Sequence, residues 1–429
     1  MRSSRIPGFF RLPVAERRAA ALDHAGLPAE AGHAFTGEGG LSLPVADAMI
    51  ENVVGLFTLP NGVAVNLRLN GEDRLVPMVV EEPSVVAAVS NMARLTREPV
   101  GIVAECDDSV MIGQVQLTRC RDGAAEALRA DLPRLAEIAA GVHPQLVTLG
   151  GGLRGMEVRE ILYDEPGFDP EPMLVLHFFL DCVDAMGANM VNTIAERLAP
   201  EIAGVTGGEA GLRILSNLAD RRVARARVEV PTAKLSQDDL DGGDVAEGIA
   251  AAWRFAYADP YRATTHNKGV MNGIDAVALA TGNDWRAIEA GAHAYAARTG
   301  QYRPLTTWRY HAESDSLRGE IAVPMQVGTV SGAIRVHPTA QANLRLAGVR
   351  GARDLSMLMA AVGLVQNLGA LRALATEGIQ HGHMRMHARS VAIGAGATPS
   401  ELGAVVSALC ARRDFTVEHA RRVIEALRA

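Results

Sequence analysis

Aromatic residues and cysteines are both scarce in this chain of 429 residues. Phe, Trp and Tyr make up only 4% of the sequence, while Ala and Gly are abundant, which favours closely packed helices and sheets over a β-sandwich. The four cysteines, Cys106, Cys120, Cys182 and Cys410, are far apart and form no CxxC pair. They predict reduced thiols in a cytoplasmic protein, with neither a disulfide framework nor a metal site.

An excess of positive charge and long apolar runs are also missing. The formal net charge is −7, which argues against general nucleic-acid binding because that function needs a basic surface. Residues 1–18 hold no apolar stretch of signal-peptide length, and the run Met357–Val365 is shorter than the ~18 residues of a membrane span. We therefore expect no membrane association. The hydrophobic share of 48% is typical of a globular protein, and the length indicates more than one domain.

The order of predicted elements divides the chain into three parts. Residues 109–220 are predicted to contain, in order, a strand at 111–119, a helix at 124–142, strands at 153–163 and 172–184, a helix at 185–202 and a strand at 212–218. This is the split βαβ, or ferredoxin-like, plan, and we interpret it as an inserted cofactor domain. Residues 1–108 and 221–375 then form a helix-rich large domain, and residues 376–429 a small helical C-terminal flap. The predicted fold class is multidomain α/β (α+β).

Gly150, Gly152 and Gly155 form the literal pattern GxGxxG of dinucleotide-binding Rossmann folds. That fingerprint requires a strand before it and a helix opening inside it. Here a predicted helix precedes the glycines and the strand-like sequence MEVREILY follows them. We therefore predict a glycine-rich turn between a helix and a strand.

A second glycine motif, DAMGAN at residues 184–189, lies where an apolar strand meets a helix. We predict that Asp184 caps this helix, and that the small Gly187 and Ala188 leave its first N–H groups accessible to an anionic ligand. An ordinary capped helix packed on a sheet explains the residues equally well. Both interpretations stay open from the residues alone.

Glu81-Glu82-Pro83-Ser84 follows an apolar stretch that we predict to be a strand. Adjacent carboxyl groups at such a position can raise one pKa and give a general acid near neutral pH. The more common alternative is a solvated junction between a strand and a helix, with the proline in the first helical turn.

Lys268 lies in a polar, glycine-containing stretch from Tyr261 to Gly273, which predicts a loop built around a ligand. Asp284 follows sixteen residues later and is a candidate carboxylate partner. A lysine in such a pair can stabilise an oxyanion or act as a tuned acid, but a structural ion pair is an equally good interpretation.

His381-Gly382-His383 is a weak metal signal because no Asp, Glu or Cys ligand lies beside it. A single titrating histidine is the more natural interpretation, as an acid or base near neutral pH.

Taken together and in this order, the motifs resemble the hydroxymethylglutaryl-CoA (HMG-CoA) reductase family, in its soluble bacterial class, class II. The resemblance extends from about residue 45 to 390 and is carried by ENVVG at 51–55, VEEPSVVAA around Glu82, DAMGAN at 184–189, RILSNLAD at 213–220, DPYRATTHNKGVMNG at 259–273, TGNDWRA at 281–287 and ATEGIQHGHM at 375–384.

The resemblance implies two hydride transfers that interconvert HMG-CoA with mevalonate and CoA, using NADH or NADPH. It implies that Lys268 stabilises the oxyanion and that Glu82 donates a proton to it. A buried Asp284 would bridge these two groups and tune both, so that the three titrate together. His383 would protonate the departing CoA thiolate, and His381 has no counterpart.

The resemblance also implies the binding residues and the assembly. The substrate-binding residues are Ser84, Arg262, Asn217 and Asn272. The cofactor would lie on the DAMGAN helix start, at Asp184, Met186, Gly187, Ala188 and Asn189. His143 occupies the position where NAD-preferring members carry an acidic residue, so we expect NADPH to be accepted. The active site is expected between the subunits of a homodimer, or of a higher multiple of dimers, with the C-terminal part closing as a flap.

Two other functions compete with this one. A non-redox hydrolase or acyltransferase acting on CoA thioesters would need an activated Ser or Cys, and no GxSxG motif is present. An inactive, ligand-binding relative is the second alternative, and the presence of Glu82, Lys268, Asp284 and His383 together argues against it.

Overall fold

The computed structural model describes residues 3–237, 240–330, 332–376 and 388–428. The first part of the chain contains α1 (Val14–His24), α2 (Leu43–Met49), β1 (Asn61–Leu69), β2 (Glu72–Val79), α3 (Val85–Thr96) and β3 (Val103–Cys106), with 3₁₀ helices at Phe9–Arg11 and Ala29–Phe35. Strands β1 and β2 form an antiparallel hairpin. One face of α1 packs with this hairpin in a small apolar cluster.

The central part folds as predicted from the sequence. Its elements are β4 (Val110–Thr118), α4 (Ala124–Val142), α5 (Pro144–Thr148), β5 (Gly152–Tyr163), β6 (Glu171–Asp181), α6 (Ala188–Thr206) and β7 (Glu209–Ser216). The four strands form an antiparallel sheet in the order β5-β6-β4-β7, and residues of α4 and α6 share one apolar core with it. This is the ferredoxin-like order. Gly150, between α5 and β5, and Gly152, the first residue of β5, both have positive φ, so the predicted helix-to-strand turn is confirmed.

Beyond this insertion the chain returns to the large core. It contains β8 (Val223–Pro231), a 3₁₀ helix at Thr232–Lys234, α7 (Gly242–Ala258), α8 (Pro260–Ala280), α9 (Trp285–Ala296), β9 (Thr306–His311), β10 (Ser316–Pro324), α10 (Gly332–Val336), α11 (Pro338–Leu346) and α12 (Ala352–Ala375). Strands β3, β8, β10 and β9 form a second antiparallel sheet in that order. This sheet shares the largest apolar core with α3, α7, α8 and α12.

Helix α12 is the long apolar helix of this core. Within the described part of the chain it alone is long and apolar enough to cross a bilayer, but 67% of its most apolar window is buried inside the protein. Its length and apolar composition are therefore those of a buried core helix.

The C-terminal part is helical, as predicted. Residues 388–394, α13 (Leu402–Arg412) and α14 (Val417–Arg428) surround an apolar cluster of their own. Each large apolar cluster thus falls within one of the three predicted parts of the chain. The exact boundaries at 108/109, 220/221 and 375/376 stay a prediction.

The predicted start of α6 was wrong. The helix begins at Ala188 with Gly187 as its N-cap, and no side chain caps it. Asp184 instead accepts a hydrogen bond of 2.8 Å from the N–H of Ala352, at the start of α12. The sequence could not reveal this contact, because the two residues are 168 positions apart.

We predict that Leu128→Ala lowers the free energy of unfolding of the central domain by about 2–5 kcal/mol, because Leu128 is fully buried between α4 and the sheet. Glu137→Ala on the exposed side of α4 is the control and should change it by less than about 0.5 kcal/mol. Urea unfolding followed by circular dichroism measures both. Equal effects of the two substitutions would contradict the assigned packing of α4.

Candidate active site

Lys268 lies in the middle of helix α8, so the predicted loop was wrong. Asp259 caps the helix by accepting a hydrogen bond of 3.0 Å from the N–H of Arg262, and Pro260 occupies the first turn. The polar residues that suggested a loop follow one face at spacings of four, three and four: Tyr261, Thr265, Lys268 and Asn272. This face is turned away from the core.

A buried polar network lies against the opposite face of α8. The Thr306 hydroxyl donates to Asn367 Oδ1 at 2.9 Å, and Trp308 Nε1 donates to the same oxygen at 2.8 Å. The distance from His266 Nε2 to Thr306 Oγ1 is 2.6 Å. Because the hydroxyl has one hydrogen, which Asn367 accepts, the histidine must donate, and its proton is on Nε2.

Asn267 provides a second contact that fixes the rotation of α8, in addition to that of His266. Its Nδ2 donates to the carbonyl of Arg303 at 2.9 Å, and its Oδ1 accepts from the N–H of Leu305 at 2.8 Å. Both side-chain groups of a fully buried amide are therefore satisfied by the backbone of the segment that leads into β9. With His266 and Asn267 held inward, the next residue, Lys268, points outward.

Lys268 forms an ion pair with Glu82, with 2.9 Å between Nζ and Oε2. Glu82 lies in the short link between β2 and α3, and Ser84 in the same link has a φ of 81° as the N-cap of α3. Lys268 and Glu82 are 61% and 34% exposed in their side chains. Pairs this exposed contribute little to stability, so the fold does not account for this one.

Arg262 and Asn272 lie on α8 on either side of Lys268, and both are half-buried. Among the residues that the structure describes, none forms an ion pair with the Arg262 guanidinium. Burial lowers the pKa of Arg262, although a guanidinium remains protonated at any physiological pH. A partly buried cation without a carboxylate is suited to bind an anionic ligand.

Asp284 caps helix α9, where it accepts hydrogen bonds from the N–H groups of Arg286 at 3.1 Å and Ala287 at 3.2 Å. Arg286 Nε also pairs with its carboxylate at 3.1 Å. Burial raises the pKa of Asp284, but the Arg286 side chain and the two N–H groups outweigh it and leave the pKa below its ordinary value. The expected burial of this group was wrong for the single chain, since its side chain is 41% exposed.

Asp284 lines a cavity of about 320 Å³ between the central and large domains. The cavity brings together predicted residues of three kinds, catalytic, substrate-binding and cofactor-binding. Its lining consists of Met186, Ala188, Ile214, Leu215, Asn217, Asp284, Arg286 and Ala287.

The start of α6 forms one wall of this cavity and suits a phosphate group. Its first N–H groups have no side-chain cap, and Gly187 has a φ of 105°. A Cβ on Gly187 would lie 2.3 Å from Cys182 Sγ, so only glycine fits here. Asn189 is exposed on the first turn, and the ring of His143 lies beside it, with Nε2 3.3 Å from the carbonyl of Met190. Asp184 accepts a hydrogen bond from the start of α12, and its predicted contact with the cofactor stays a prediction.

The predicted residues thus fall into two groups within one chain. The first group lies on α8 between its first turn and Asn272, and in the link between β2 and α3 that Lys268 reaches; it consists of Glu82, Ser84, Arg262, Lys268 and Asn272. The second group surrounds the cavity with Asp284. Lys268 precedes the end of α8 by twelve residues, which is roughly 18 Å of helix, and Asp284 lies beyond that end.

Three contributing residues were not found from the sequence. Arg286 pairs with Asp284, Gln326 donates from Nε2 to the carbonyls of Asn217 and Ala287, and Arg222 binds the DAMGAN turn from behind. Arg286 lies inside the quoted motif TGNDWRA, two residues after Asp284, and could have been suspected. His381 and His383 lie outside the described residues.

A lysine paired with a carboxyl group can stabilise and protonate an oxygen atom that gains negative charge. A helix start with free N–H groups can hold the phosphates of a cofactor. The combination is typical of an oxidoreductase that uses a phosphate-bearing cofactor.

Comparisons with known proteins agree with this class. Residues 14–388 match the family model of hydroxymethylglutaryl-coenzyme A reductase. The 3-hydroxy-3-methylglutaryl-coenzyme A reductase of Archaeoglobus fulgidus is 48% identical over 430 residues, which cover 100% of this chain and 95% of that protein. A solved reductase from Streptococcus pneumoniae superimposes with a TM-score of 0.82 at 40% identity, over 98% of this chain and 99% of that one.

A second Streptococcus pneumoniae structure, a class II reductase bound to NADPH in open conformations, has a TM-score of 0.81 and 40% identity, over 97% and 100% of the two chains. The chain belongs to the HMG-CoA reductase family of NAD(P)-dependent oxidoreductases. The family resemblance predicted from the motifs is confirmed.

We predict that His266 makes the protein acid-sensitive. Burial, together with the charge of Arg262, lowers the pKa of His266 to about 3. In the unfolded chain this pKa is about 6.5, so below that pH the unfolded state binds a proton that the folded state does not. The contribution of His266 to the free energy of unfolding is therefore fully present above about pH 6.5. It is lost as the pH falls toward 3, by up to about 1.4 kcal/mol per pH unit.

Urea unfolding of His266→Gln between pH 6.5 and 4 should show a shallower decrease than that of the parent protein. Thr306→Val is the control, because it keeps the buried histidine and should keep the steeper decrease. The same slope in His266→Gln and the parent protein would disprove this source of acid sensitivity.

Proposed function

We propose that the protein interconverts HMG-CoA with mevalonate and CoA, at a site completed by two subunits. The observation that carries this proposal is the Lys268–Glu82 pair, with 2.9 Å between Nζ and Oε2, on the same helix as Arg262, a cation without an ion-pair partner among the described residues. A thioester substrate with a free carboxylate needs both an oxyanion-stabilising pair and a separate cation.

Arg262 is the residue we assign to the substrate carboxylate, since a guanidinium binds carboxylates in a fixed, often bidentate geometry. Ser84 and Asn272 lie near the same pair in the chain and would bind the hydroxyl group. Asn217 would contact the substrate from the cavity side.

Lys268 would stabilise the oxyanion that forms at the thioester carbon, and Glu82 would donate a proton to that oxygen. Two reduced nicotinamide dinucleotides, bound one after the other, would each supply one hydride of the overall reaction. Asp284 would contribute a negative charge that keeps the lysine protonated. We assign His383 to protonating the CoA thiolate, by the family motif alone.

We place the cofactor phosphates at the start of α6, on the N–H groups that no side chain caps. His143 lies beside this turn and carries no negative charge, so it would not repel the 2′-phosphate of NADPH. We therefore expect NADPH to be accepted as well as NADH. A cytoplasmic location also stays a prediction.

A homodimer would bring the two groups of site residues together. Lys268 and Asp284 are too far apart along one chain to share a substrate oxygen, although the reaction needs both. Val54, Phe57 and Tyr261 are large apolar residues that are almost fully exposed. Tyr261 lies on the Lys268 face of α8, and exposed apolar groups of this size mark interaction surfaces.

The chain's two lysines provide a matched test of the chemistry. We predict that Lys268→Ala lowers kcat by at least about a thousandfold, because the oxyanion loses its stabilising charge. Lys234→Ala should keep near-normal kcat, since Lys234 donates only to the carbonyl of Glu98 on the surface. NADPH oxidation with HMG-CoA measures both. Near-normal turnover in Lys268→Ala would refute the mechanism.

Mixing two inactive variants tests the shared site. If Lys268 and Asp284 act across the subunit boundary, equal mixtures of Lys268→Ala and Asp284→Asn should recover about a quarter of the parent activity, since half of the dimers then have one intact site.

Lys268→Ala mixed with Glu82→Gln is the control. Those two residues pair within one chain, so no intact site can form. Recovery of activity in this control mixture would contradict a shared site. So would the absence of recovery in the mixture of Lys268→Ala with Asp284→Asn.

The alternative of a non-redox thioester hydrolase or acyltransferase needs an activated nucleophile. Burial raises the pKa of the Cys106 thiol, and it raises that of Cys182 to about 12, so neither is a ready nucleophile. The reductase consumes two nicotinamide cofactors for each CoA released. CoA release from HMG-CoA without any cofactor would favour the hydrolase.

A further inference from the structure

Arg222 lies directly behind the DAMGAN turn and is only 1% exposed. Its Nη1 donates to the carbonyl oxygens of Ala185 at 3.2 Å and Met186 at 3.5 Å, and its Nη2 donates to the carbonyl of Val327. Its buried Nε has no hydrogen-bond partner among the described residues. The turn is thus held from behind by a buried cation.

No carboxylate in the described part of the chain forms an ion pair with Arg222. The two nearest acids are engaged elsewhere: Asp181 pairs with Arg154 at 2.7 Å, and Asp184 accepts from the N–H of Ala352 at 2.8 Å. Burial raises the pKa of the adjacent Cys182 to about 12, so this thiol stays neutral. The charge of Arg222 therefore has no bonded counter-charge.

A buried charge without a partner is costly, and hydrogen bonds to three carbonyls could be made by a neutral donor. Burial lowers the pKa of Arg222, but a guanidinium stays protonated. Asp181 is already paired with Arg154, but Asp184 flanks the turn without a salt bridge in the described part of the chain, and without Arg222 its charge would leave the turn negative. A phosphate at the start of α6 would then meet a repulsive field.

The backbone transmits the effect of Arg222 to the opposite side of the turn. In a trans peptide the C=O and N–H groups point in opposite directions. Because the carbonyl of Met186 faces Arg222, the N–H of Gly187 faces away from it. This N–H has no partner in the described residues, and it directly precedes the uncapped first turn of α6.

We propose that Arg222 is the buried counter-charge for the diphosphate of the nicotinamide dinucleotide, and that it acts through the turn without touching the ligand. It is a positioning residue, and the proposal rests on the placement of the cofactor at α6 given above. The ligand chemistry is that of a dinucleotide diphosphate. Because protein and not water separates the two charges, salt screens their attraction weakly.

The test measures ligand binding by calorimetry with the full-length protein and needs no turnover. ADP-ribose carries the diphosphate, whereas adenosine carries no phosphate. We expect Arg222→Met to raise the Kd of ADP-ribose at least about tenfold while leaving that of adenosine within about threefold. Arg222→Lys keeps the charge and should stay within about threefold for both ligands.

Arg97→Met is the matched control. Arg97 is also largely buried, but it pairs with Asp73 in the large domain and should leave both dissociation constants unchanged. A merely structural role of Arg222 would weaken ADP-ribose and adenosine to the same degree, and that result overturns the proposal. ADP-ribose binding that is unchanged in Arg222→Met also overturns it.

If Arg222→Met does not fold, Arg222→Lys decides alone: retained ADP-ribose affinity supports the proposal, and a tenfold loss in a folded protein overturns it. Ala188→Glu separates this proposal from the placement of the cofactor, because it puts a negative charge on the first turn of α6. If Ala188→Glu leaves ADP-ribose binding intact, the placement itself fails. If Ala188→Glu abolishes binding and Arg222→Met does not change it, only the role of Arg222 fails.

Discussion

The fixed rotation of helix α8 is the constraint on which the proposed chemistry depends. His266 and Asn267 are bound inward by Thr306 and by the backbone at Arg303 and Leu305. A helix advances by 100° per residue, so holding these two residues inward leaves Lys268 only one direction, toward Glu82. The buried polar groups thus orient the helix, and the exposed ion pair depends on that orientation.

The same constraint explains why a loop was wrongly predicted for this segment. Residues 259–273 contain many polar groups, which favoured a loop. Two of them, His266 and Asn267, are instead buried, where His266 binds Thr306 and Asn267 binds the backbone leading into β9. A pattern of apolar residues cannot detect a helix whose buried face is partly polar. The central domain was easier to predict, since Leu128, Leu135 and Ala139 on α4 are apolar at helical spacing and its strands alternate.

Contacts between distant segments were the second source of error. The sequence identified Asp184 as part of a functional motif, yet assigned it to the nearest helix because capping is normally local. In the structure it joins the central domain to α12, next to the arginine that holds the same turn. Arg222 itself carried no sequence signal, because an arginine at the start of a strand is usually solvated. The motifs therefore located the site, while its supporting residues required the fold.

The site residues fall into two separate groups within one chain, and the proposal of an active site shared between subunits rests on this separation. One chain presents an acid–lysine pair on α8, with an arginine on the same helix that forms no ion pair with any described residue, and a separate cavity with Asp284 beside the DAMGAN turn. We propose that a neighbouring subunit places the second group opposite the first. Under this proposal catalysis depends on assembly, since an isolated subunit would hold two incomplete halves of the site.

A crystal structure of the assembled protein with HMG-CoA and a nicotinamide dinucleotide bound would test this claim most directly, through the distance from Lys268 Nζ to the nearest Asp284 carboxylate. The account predicts that this carboxylate belongs to the neighbouring subunit and lies within about 4 Å, the range of an ion pair. An Asp284 carboxylate from the same chain at that distance would contradict this claim. So would the absence of an Asp284 carboxylate from either subunit within about 8 Å of Lys268 Nζ.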